Sequence, residues 1–327
     1  MTPNLDIAHL SLSYLTERGR VPALRNVSLA VYPNEIVGLV GESGSGKSTL
    51  AMAAMRLLRP QDIALEGSVR VQGQEVYRLS PEDLKRWRWE HLAMVFQSSM
   101  NALNPVLSVA SHFFDTLSAH RAADSKPVMM QRVRQLLQLV RLDPDVAVRY
   151  PHELSGGMRQ RVVIALALAL NPKVLIMDEP TTALDVVVQK SILDEISAIQ
   201  TKHQLSVLFI THDFTLVQGL AHRIAVMYAG EIVQITERES LARESVPNHP
   251  YTTALMRGIP RLTGSRATLE GIPGEPPDMT RLPRGCAFYP RCQDRRPVCE
   301  STPLPEASHD TYVRCHALTA ERREERC

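Results

Sequence analysis

Apolar and polar positions are arranged in three ways along this chain, and each arrangement predicts a different element. Short unbroken apolar runs stand at Ile36–Val40, Leu92–Phe96, Val174–Met177 and Leu205–Ile210. Runs of this length, closed by glycine or polar residues, suit buried strands. Partial alternation at 5–12, 24–31 and 67–73 suits half-exposed strands, with the polar stretch Thr16–Arg20 as a hairpin tip. Two more short strands are expected within 224–235, around Ala229-Gly230. Helical spacing takes over after Lys47-Ser48-Thr49, at Leu50, Met52, Ala53, Ala54, Met55 and Leu57. It returns at Val128–Val140, with Val133, Leu136, Leu137 and Val140 on one face, in the run that Asn171-Pro172 stops, and at Val187–Ile199. Strands that alternate with helices give an α/β class with a largely parallel sheet. The alternating strands add an antiparallel β subdomain, and a helical unit is inserted at about 98–165. From about 240 prolines cluster (Pro247, Pro250, Pro260, Pro273, Pro276, Pro277, Pro283), which reads as a loop-rich appendage. The expected division is therefore 1–238 and 239–327.

The chemistry collects where apolar strands end. Residues 36–49 read IVGLVGESGSGKST, a strand, a glycine loop and a helix start, and Gly41 through Ser48 fit G-x-x-x-x-G-K-[ST]. Gly41, Gly44 and Gly46 let successive backbone N–H groups turn inward as an anion nest, and Glu42, Ser43, Ser45 and Thr49 on the same loop are candidate nucleotide-binding residues. The following helix adds the positive end of its dipole. Lys47 reaches the β- and γ-phosphates and the Ser48 hydroxyl ligates Mg²⁺. The strand Val174–Met177 ends in Asp178-Glu179, and Leu205–Ile210 ends in Thr211-His212-Asp213. In an open parallel sheet, ligands bind beyond the carboxyl ends of strands. Asp178 is then expected to hold Mg²⁺, directly or through water, as the partner of Ser48, and Glu179 to act as the general base for an attacking water. His212 joins the γ-phosphate by the same convergence.

Composition narrows the classes. The chain has 327 residues, 44% of them hydrophobic, and a net charge of +2, so no strong field draws it to nucleic acid or an anionic membrane. Trp87-Arg88-Trp89, aromatics among basic residues, could stack on bases; an amphipathic helix packed on the core is the preferred reading. The start MTPNLDIAHL lacks the basic-then-apolar build of a signal peptide, and the longest apolar run, Val162–Leu170, is far short of the ~20 residues that span a bilayer. The chain is expected to be soluble, with any membrane role exercised through partners. Four of five cysteines fall within 286–315, which in a cytosolic chain favours a metal site over disulfides. AERREERC at the end reads as a solvated, frayed helix, and Cys327 is given no role.

The set Gly41–Thr49, Gln97, Leu154–Gln160 (LSGGMRQ), Val174–Glu179, Ala183–Asp185 and His212 resembles the nucleotide-binding subunits of ATP-binding-cassette (ABC) transporters, in order and spacing, across about 1–235. LSGG is that family's signature. The resemblance implies a phosphate-loop, RecA-like cassette with an antiparallel β subdomain, an inserted helical signature subdomain and a cysteine-containing extension. It implies head-to-tail dimers in which each ATP lies between the phosphate loop of one subunit and the LSGG of the other. Ser155, Gly156 and Gly157 would offer N–H groups to the partner's γ-phosphate. Gln97 would sense Mg²⁺ and the attacking water, Asp185 would cross the dimer interface, His212 would contact the γ-phosphate, and Tyr14 would stack on adenine.

FQSSMNALNP (96–105), EPTTALDVVVQ (179–189), NHPYT (248–252) and PRGCAFYPRC (283–292) further resemble the dipeptide, oligopeptide and nickel importer ATPases. Ser98-Ser99 departs from the usual Asp-Pro, a change that bears on coupling and not on catalysis. Cys286, Cys292, Cys299 and Cys315 are spaced C-x5-C-x6-C-x15-C, wider than the close pairs of structural zinc sites. Four thiolates on irregular backbone suit an iron–sulfur cluster, and some importer ATPases of this kind carry a [4Fe–4S] cluster here. Zinc and free thiols are the alternatives, and a structural staple is preferred to redox regulation. The implied role is the ATP-hydrolysing subunit of a bacterial peptide importer at the cytoplasmic face of the inner membrane. Its partners would be a second ABC ATPase, two transmembrane permease subunits and, indirectly, an extracytoplasmic substrate-binding protein, without nucleic acid. Import of nickel or another solute, a soluble ABC ATPase of DNA repair or translation, and an iron–sulfur sensor that switches on ATP are the other readings.

Overall fold

Strands covered on both faces have to be apolar throughout, and the apolar runs are strands in the computed structural model. It describes residues 1–97, 102–120, 125–182, 184–241, 243, 246–258, 271–305 and 311–318. Ser98-Ser99, Ala183 and the charged end with Cys327 lie outside the described residues. In chain order the elements are β1 (Leu5–Thr16), β2 (Gly19–Val31), β3 (Ile36–Val40), α1 (Lys47–Ala54), β4 (Ile63–Val71), β5 (Gln74–Glu75), α2 (Pro81–Glu90), β6 (Leu92–Val95), α3 (Val109–His120), α4 (Lys126–Leu139), α5 (Gly156–Ala167), β7 (Val174–Asp178), α6 (Val186–His203), β8 (Ser206–Thr211), α7 (Phe214–Leu220), β9 (Arg223–Tyr228), β10 (Glu231–Glu237), α8 (Pro250–Arg257), α9 (Val298–Ser301) and β11 (Tyr312–Val313). β1 and β2 run past the alternating stretches to a two-residue turn at Glu17-Arg18. Ladder hydrogen bonds carry a hairpin through positions where neither face is buried, so alternation under-reads its length. No helix among the described residues is long and apolar enough to cross a membrane.

The chain divides into two compact units. The first comprises residues 1–5, 31–36 and 71–209. Its strands stand in the order β8-β7-β6, and β6 and β7 are parallel, from Leu92 beside Val174 to Val95 beside Met177. Both are buried along their whole length. α4 presents Met129, Val133, Leu136 and Leu137, one stripe at helical spacing, to the interior. α5 and α6 are locked by Arg161, whose guanidinium reaches Glu195 at 2.6 Å, Ser191 Oγ at 3.0 Å and the Val140 carbonyl at 3.0 Å. Burial pushes the Glu195 carboxyl up, and Arg161 and Arg141 oppose it. α2 breaks its helical path at Arg88 and Trp89, the latter at φ 69°. Trp87 is buried, and the Trp89 indole donates to the Leu166 carbonyl at 3.0 Å. The aromatic–basic triplet is thus engaged in packing.

The second unit comprises residues 6–30, 37–70 and 210–327. β2, β1 and β4 form a sheet in that order. A second run of strands stands in the order β11-β10-β9-β3. β3 and β9 are parallel, from Val37 beside Arg223 to Val40 beside Val226, while β10 is antiparallel to both β9 and β11. β11 comes from the proline-rich appendage, so that segment adds an edge strand by pairing Gln234 with Val313 and Ile235 with Tyr312.

Candidate nucleotide site

The phosphate loop leaves β3 in the second unit. Its three glycines are there for different reasons. A Cβ on Gly41 would lie 2.1 Å from the Met227 carbonyl oxygen, so only glycine lets the loop turn there. Gly44 has no such neighbour: nothing lies within 4 Å of an added Cβ, and its φ of 79° alone favours glycine. Gly46 stands at φ 107° immediately before α1, with the Ala23 carbonyl oxygen 2.7 Å from an added Cβ.

No side chain caps α1 and no acid occupies its first turn. Its N–H groups and dipole therefore face the loop without a competing carboxylate. Lys47 is buried, and its ammonium donates to the Gly41 carbonyl at 2.8 Å and the Glu42 carbonyl at 2.9 Å, with Ser45 Oγ at 3.4 Å. The cation is thus seated inside the curl of the loop. Ser45 is itself anchored, since its carbonyl accepts the Gly230 N–H at 2.9 Å. Tyr14 is brought to this loop: its hydroxyl lies 3.1 Å from Thr49 Oγ1. His212 follows β8 and is exposed, and Asp213 caps α7 by accepting the Thr215 N–H at 2.8 Å.

The other predicted residues belong to the first unit. Because β6 and β7 are parallel and paired through Val95 and Met177, Gln97 and the Asp178-Glu179 pair leave neighbouring carboxyl ends. Asp178 is the buried last residue of β7, whereas Gln97 is exposed. Glu179 sits at φ 50°. A non-glycine residue in the left-handed region costs conformational energy, and such residues collect at functional sites. Thr182 steadies it, donating its hydroxyl to the Glu179 carboxylate at 2.9 Å. Asp185 caps α6 by accepting the Val188 N–H at 2.9 Å. Ser155 caps α5 by accepting the Met158 N–H at 3.3 Å. A Cβ on Gly157 would come within 2.7 Å of Val188 Cγ1, so the signature helix starts in close contact with α6.

The four cysteines lie in the appendage. Cys286, Cys299 and Cys315 are buried and Cys292 is half-buried, and none is in a disulfide. The Cys286 N–H donates to the Cys299 carbonyl at 2.7 Å, and a Cβ on Gly285 would lie 2.2 Å from that same oxygen. Burial pushes the Cys286 thiol up to about 12 and the Cys292 thiol up to about 11, and it raises Cys315 as well. The other thiols act in the same direction on Cys286, so the four share one neighbourhood. Even so, among the described residues no group of three or more His, Cys, Asp or Glu side chains is arranged to hold a metal ion. The expected [4Fe–4S] ligand set is therefore not assembled as placed.

Comparison with known proteins places this arrangement. The ABC transporter family profile matches residues 24–182, and the profile of the oligopeptide/dipeptide transporter C-terminal region matches residues 235–299. The oligopeptide transport ATP-binding protein OppD of Haemophilus influenzae is 39% identical over 326 residues, 98% of this chain and 99% of that one. This chain belongs to the ABC transporter ATP-binding proteins. The dipeptide transport ATP-binding protein DppD of Bacillus subtilis is 42% identical over 299 residues, covering 90% of this chain and 88% of that one. Among solved structures, the ABC cassette MJ0796, a dimer in a post-hydrolysis state with ADP and Pi, matches at a TM-score of 0.63 and 29% identity, over 72% of this chain and 98% of that one. The fold is accordingly that of an ABC cassette, extended by a C-terminal region.

Sequence reasoning missed two residues that act on the loop. Tyr251 and Arg291, from NHPYT and PRGCAFYPRC, both bind Glu42. The two stretches were legible only as family marks, because their partner is more than 200 residues away.

Proposed function

We propose that this chain is the ATP-hydrolysing, energy-coupling subunit of a peptide importer at the cytoplasmic face of a bacterial inner membrane. The observation that carries this reading is the joining of an ABC cassette to a C-terminal region of the oligopeptide/dipeptide type in one chain that aligns nearly end to end with peptide transport ATP-binding proteins. In this reading residues 1–238 are the cassette, with its helical insertion at about 98–165, and 239–327 the extension. The partners are a second ABC ATPase, two permease subunits and an extracytoplasmic substrate-binding protein.

The residue roles proposed rest on the motif match, and local geometry supports some of them. The loop Gly41–Thr49, with Gly44 at its open bend and Lys47 seated in its curl, binds phosphates through N–H groups and one fixed cation. Tyr14, hydrogen-bonded to Thr49, stacks on the base. By the motif match Ser48, and with it Asp178 and Gln97, would supply oxygen donors to Mg²⁺, a hard cation that would neutralise phosphate charge when bound. The Glu179 carboxylate, held by Thr182, takes the proton of a water whose oxygen attacks the γ-phosphorus; the bond to the bridging oxygen breaks and ADP leaves. His212 contacts the γ-phosphate. Ser155, Gly156 and Gly157 serve the partner's nucleotide, and Asp185 the dimer contact. ATP then favours the closed dimer by its differential affinity for that state.

The test is twofold. Glu179→Gln removes the base and is expected to lower hydrolysis by about 10²–10⁴-fold while ATP binding persists; unchanged turnover would dismiss Glu179 as base. A tagged chain extracted in mild detergent is expected to bring two multi-span proteins and a second cassette; ribosomes or nucleic acid in their place would overturn the importer reading. The [4Fe–4S] cluster is kept as a proposal on the spacing and shared neighbourhood of the four thiols, and no catalytic step passes through it. Protein purified without oxygen should contain iron and acid-labile sulfide; a colourless, iron-free protein would end it.

A further inference from the structure

Two stretches of the extension, NHPYT and PRGCAFYPRC, take no part in the nucleotide chemistry above, yet both grip the phosphate loop at one residue. The Tyr251 hydroxyl accepts the Glu42 N–H at 2.8 Å. Arg291 holds the Glu42 carboxylate with both terminal nitrogens, Nη1 to Oε2 at 2.7 Å and Nη2 to Oε1 at 3.0 Å. Arg291 is only 8% exposed, and Tyr251 is fully buried. The grip is itself braced. Arg291 Nε donates to the Pro273 carbonyl at 2.8 Å, and Nη1 also reaches the Tyr228 hydroxyl at 3.3 Å. The rings of Tyr228, Tyr251 and Phe288 pack with centroids 4.6 to 5.3 Å apart. His249, also buried, accepts the Tyr251 N–H at 3.1 Å and so fixes the start of α8.

The geometry bears on binding because Glu42 is the second residue of the loop. Its carbonyl is held by Lys47 and its N–H by Tyr251. A phosphate draws the lysine ammonium toward itself, and the loop then keeps its curl only through contacts that the phosphate does not compete for. Tyr251 and Arg291 supply such contacts. A paired, bidentate guanidinium in a buried setting is rigid and charge-assisted, and a loop held in its binding shape loses less entropy on binding.

We propose that Tyr251 and Arg291 are positioning residues for the phosphate loop, through which the C-terminal extension sets the affinity of this chain for ATP. The inference rests on Gly41–Thr49 being the nucleotide site. The measurement is equilibrium binding of a fluorescent ATP analogue with Mg²⁺ to the full chain, with thermal melts in parallel. Arg291→Ala should raise Kd about tenfold, the scale of one charge-assisted hydrogen bond. Arg291→Lys should fall between, since it keeps the charge and loses the fork. Tyr251→Phe, which leaves the Glu42 N–H without its acceptor, should raise Kd about threefold. Glu42→Ala with Arg291→Ala should be no weaker than Arg291→Ala alone, because both remove one interaction. Melting shifts with a wild-type Kd, or additive effects in the double variant, would reduce the clamp to a structural staple and overturn the proposal. Should Arg291→Ala fail to fold, Arg291→Lys and Tyr251→Phe carry the same test. Lys47→Ala is the control: binding unchanged in that variant would sink the nucleotide-site reading itself, whereas binding lost there and intact in the clamp variants would sink the inference alone.

Discussion

Two helices in this molecule begin at glycine turns, and they begin differently. α1 has no side-chain cap, takes Gly46 at φ 107° and carries Lys47, whose ammonium is fixed by two loop carbonyls. α5 is capped by its own Ser155, has no acid in its first turn, and commits the Arg161 charge inward to Glu195. The first start is a complete anion cradle, with N–H groups, dipole and a matched cation. The second offers a hydroxyl and a dipole, with no ammonium seated among its own turn's carbonyls as Lys47 is. A neutral helix end adds to a phosphate held elsewhere but does not capture one alone. In the proposed reading these two starts are the strong and the weak half of a nucleotide site shared between two cassettes, and the contrast between them can be tested.

That contrast is broken most directly at its strongest point. Lys47→Ala removes the cation and should lower ATP affinity of the isolated chain by about 10²-fold, since hydrogen bonds to charged groups are each worth roughly 1.5–3 kcal/mol. Ser155→Ala should leave that affinity within about twofold, since a neutral cap adds no phosphate charge partner. Calorimetric titration of both variants compares the two ends; equal losses would erase the distinction drawn above.

How much of this was legible in the sequence differs between the two regions. The phosphate loop could be read because its chemistry is local: glycines, lysine and serine act within nine residues of one another, between a buried strand and a helix. What the motif could not tell apart was Gly41, which a backbone oxygen crowds, from Gly44, which has open space around it. The buried strands could be read for the same local reason, as a period and a length. The break in α2 could not, because Trp89 is pulled out of helical geometry by packing against α5, and residues 81–90 contain neither proline after Pro81 nor glycine to announce it. The Glu42 clamp could not either. Its members are 209 and 249 residues from Glu42 and lie in a proline-rich segment with no periodicity. The cysteines stand between these cases: spacing pointed to a shared neighbourhood, and it could not say whether the thiols close into a ligand set.

A second prediction sharpens the contrast through pH, because a buried histidine makes the phosphate-loop side sensitive to acid. His249 is buried beside Phe288 and caps α8, and burial, aided by Arg314, lowers it from the usual 6.5 to about 3. Its folded form is therefore neutral through the mild acid range, while the unfolded chain takes up a proton below about 6.5. The unfolded state binds more protons there, so stability falls as pH drops from about 6.5 toward 3 and is unaffected above 7. Integrated from pH 7 to pH 5, this single group costs roughly 2 kcal/mol. His249→Asn keeps a side-chain acceptor for the Tyr251 N–H and loses the titration. Urea melts at both pH values should show the pH 5 deficit shrink by about that amount; an unchanged deficit would place the acid sensitivity elsewhere.

The smallest expected effect lies at the weak start. Ser155 Oγ accepts the Met158 N–H at 3.3 Å, a long bond for a cap. Ser155→Ala should therefore cost toward the low end of the capping range, about 0.5–1 kcal/mol, and lower the melting point by roughly 2 °C. The hydroxyl's second use separates a cap from a site. If Ser155 only closes α5, Ser155→Asp, an equally good cap, restores stability and leaves ATP-driven dimerisation intact. If it also faces the partner's phosphate, Ser155→Asp restores stability while its negative charge suppresses dimerisation, read by size-exclusion chromatography of the Glu179→Gln background with ATP. The second result is expected, because a carboxylate at a helix start competes with an anion for the N–H groups that the signature turn would offer. Dimerisation at the Glu179→Gln level in the Ser155→Asp chain would assign this turn to folding alone and leave the phosphate loop as the chain's single nucleotide surface.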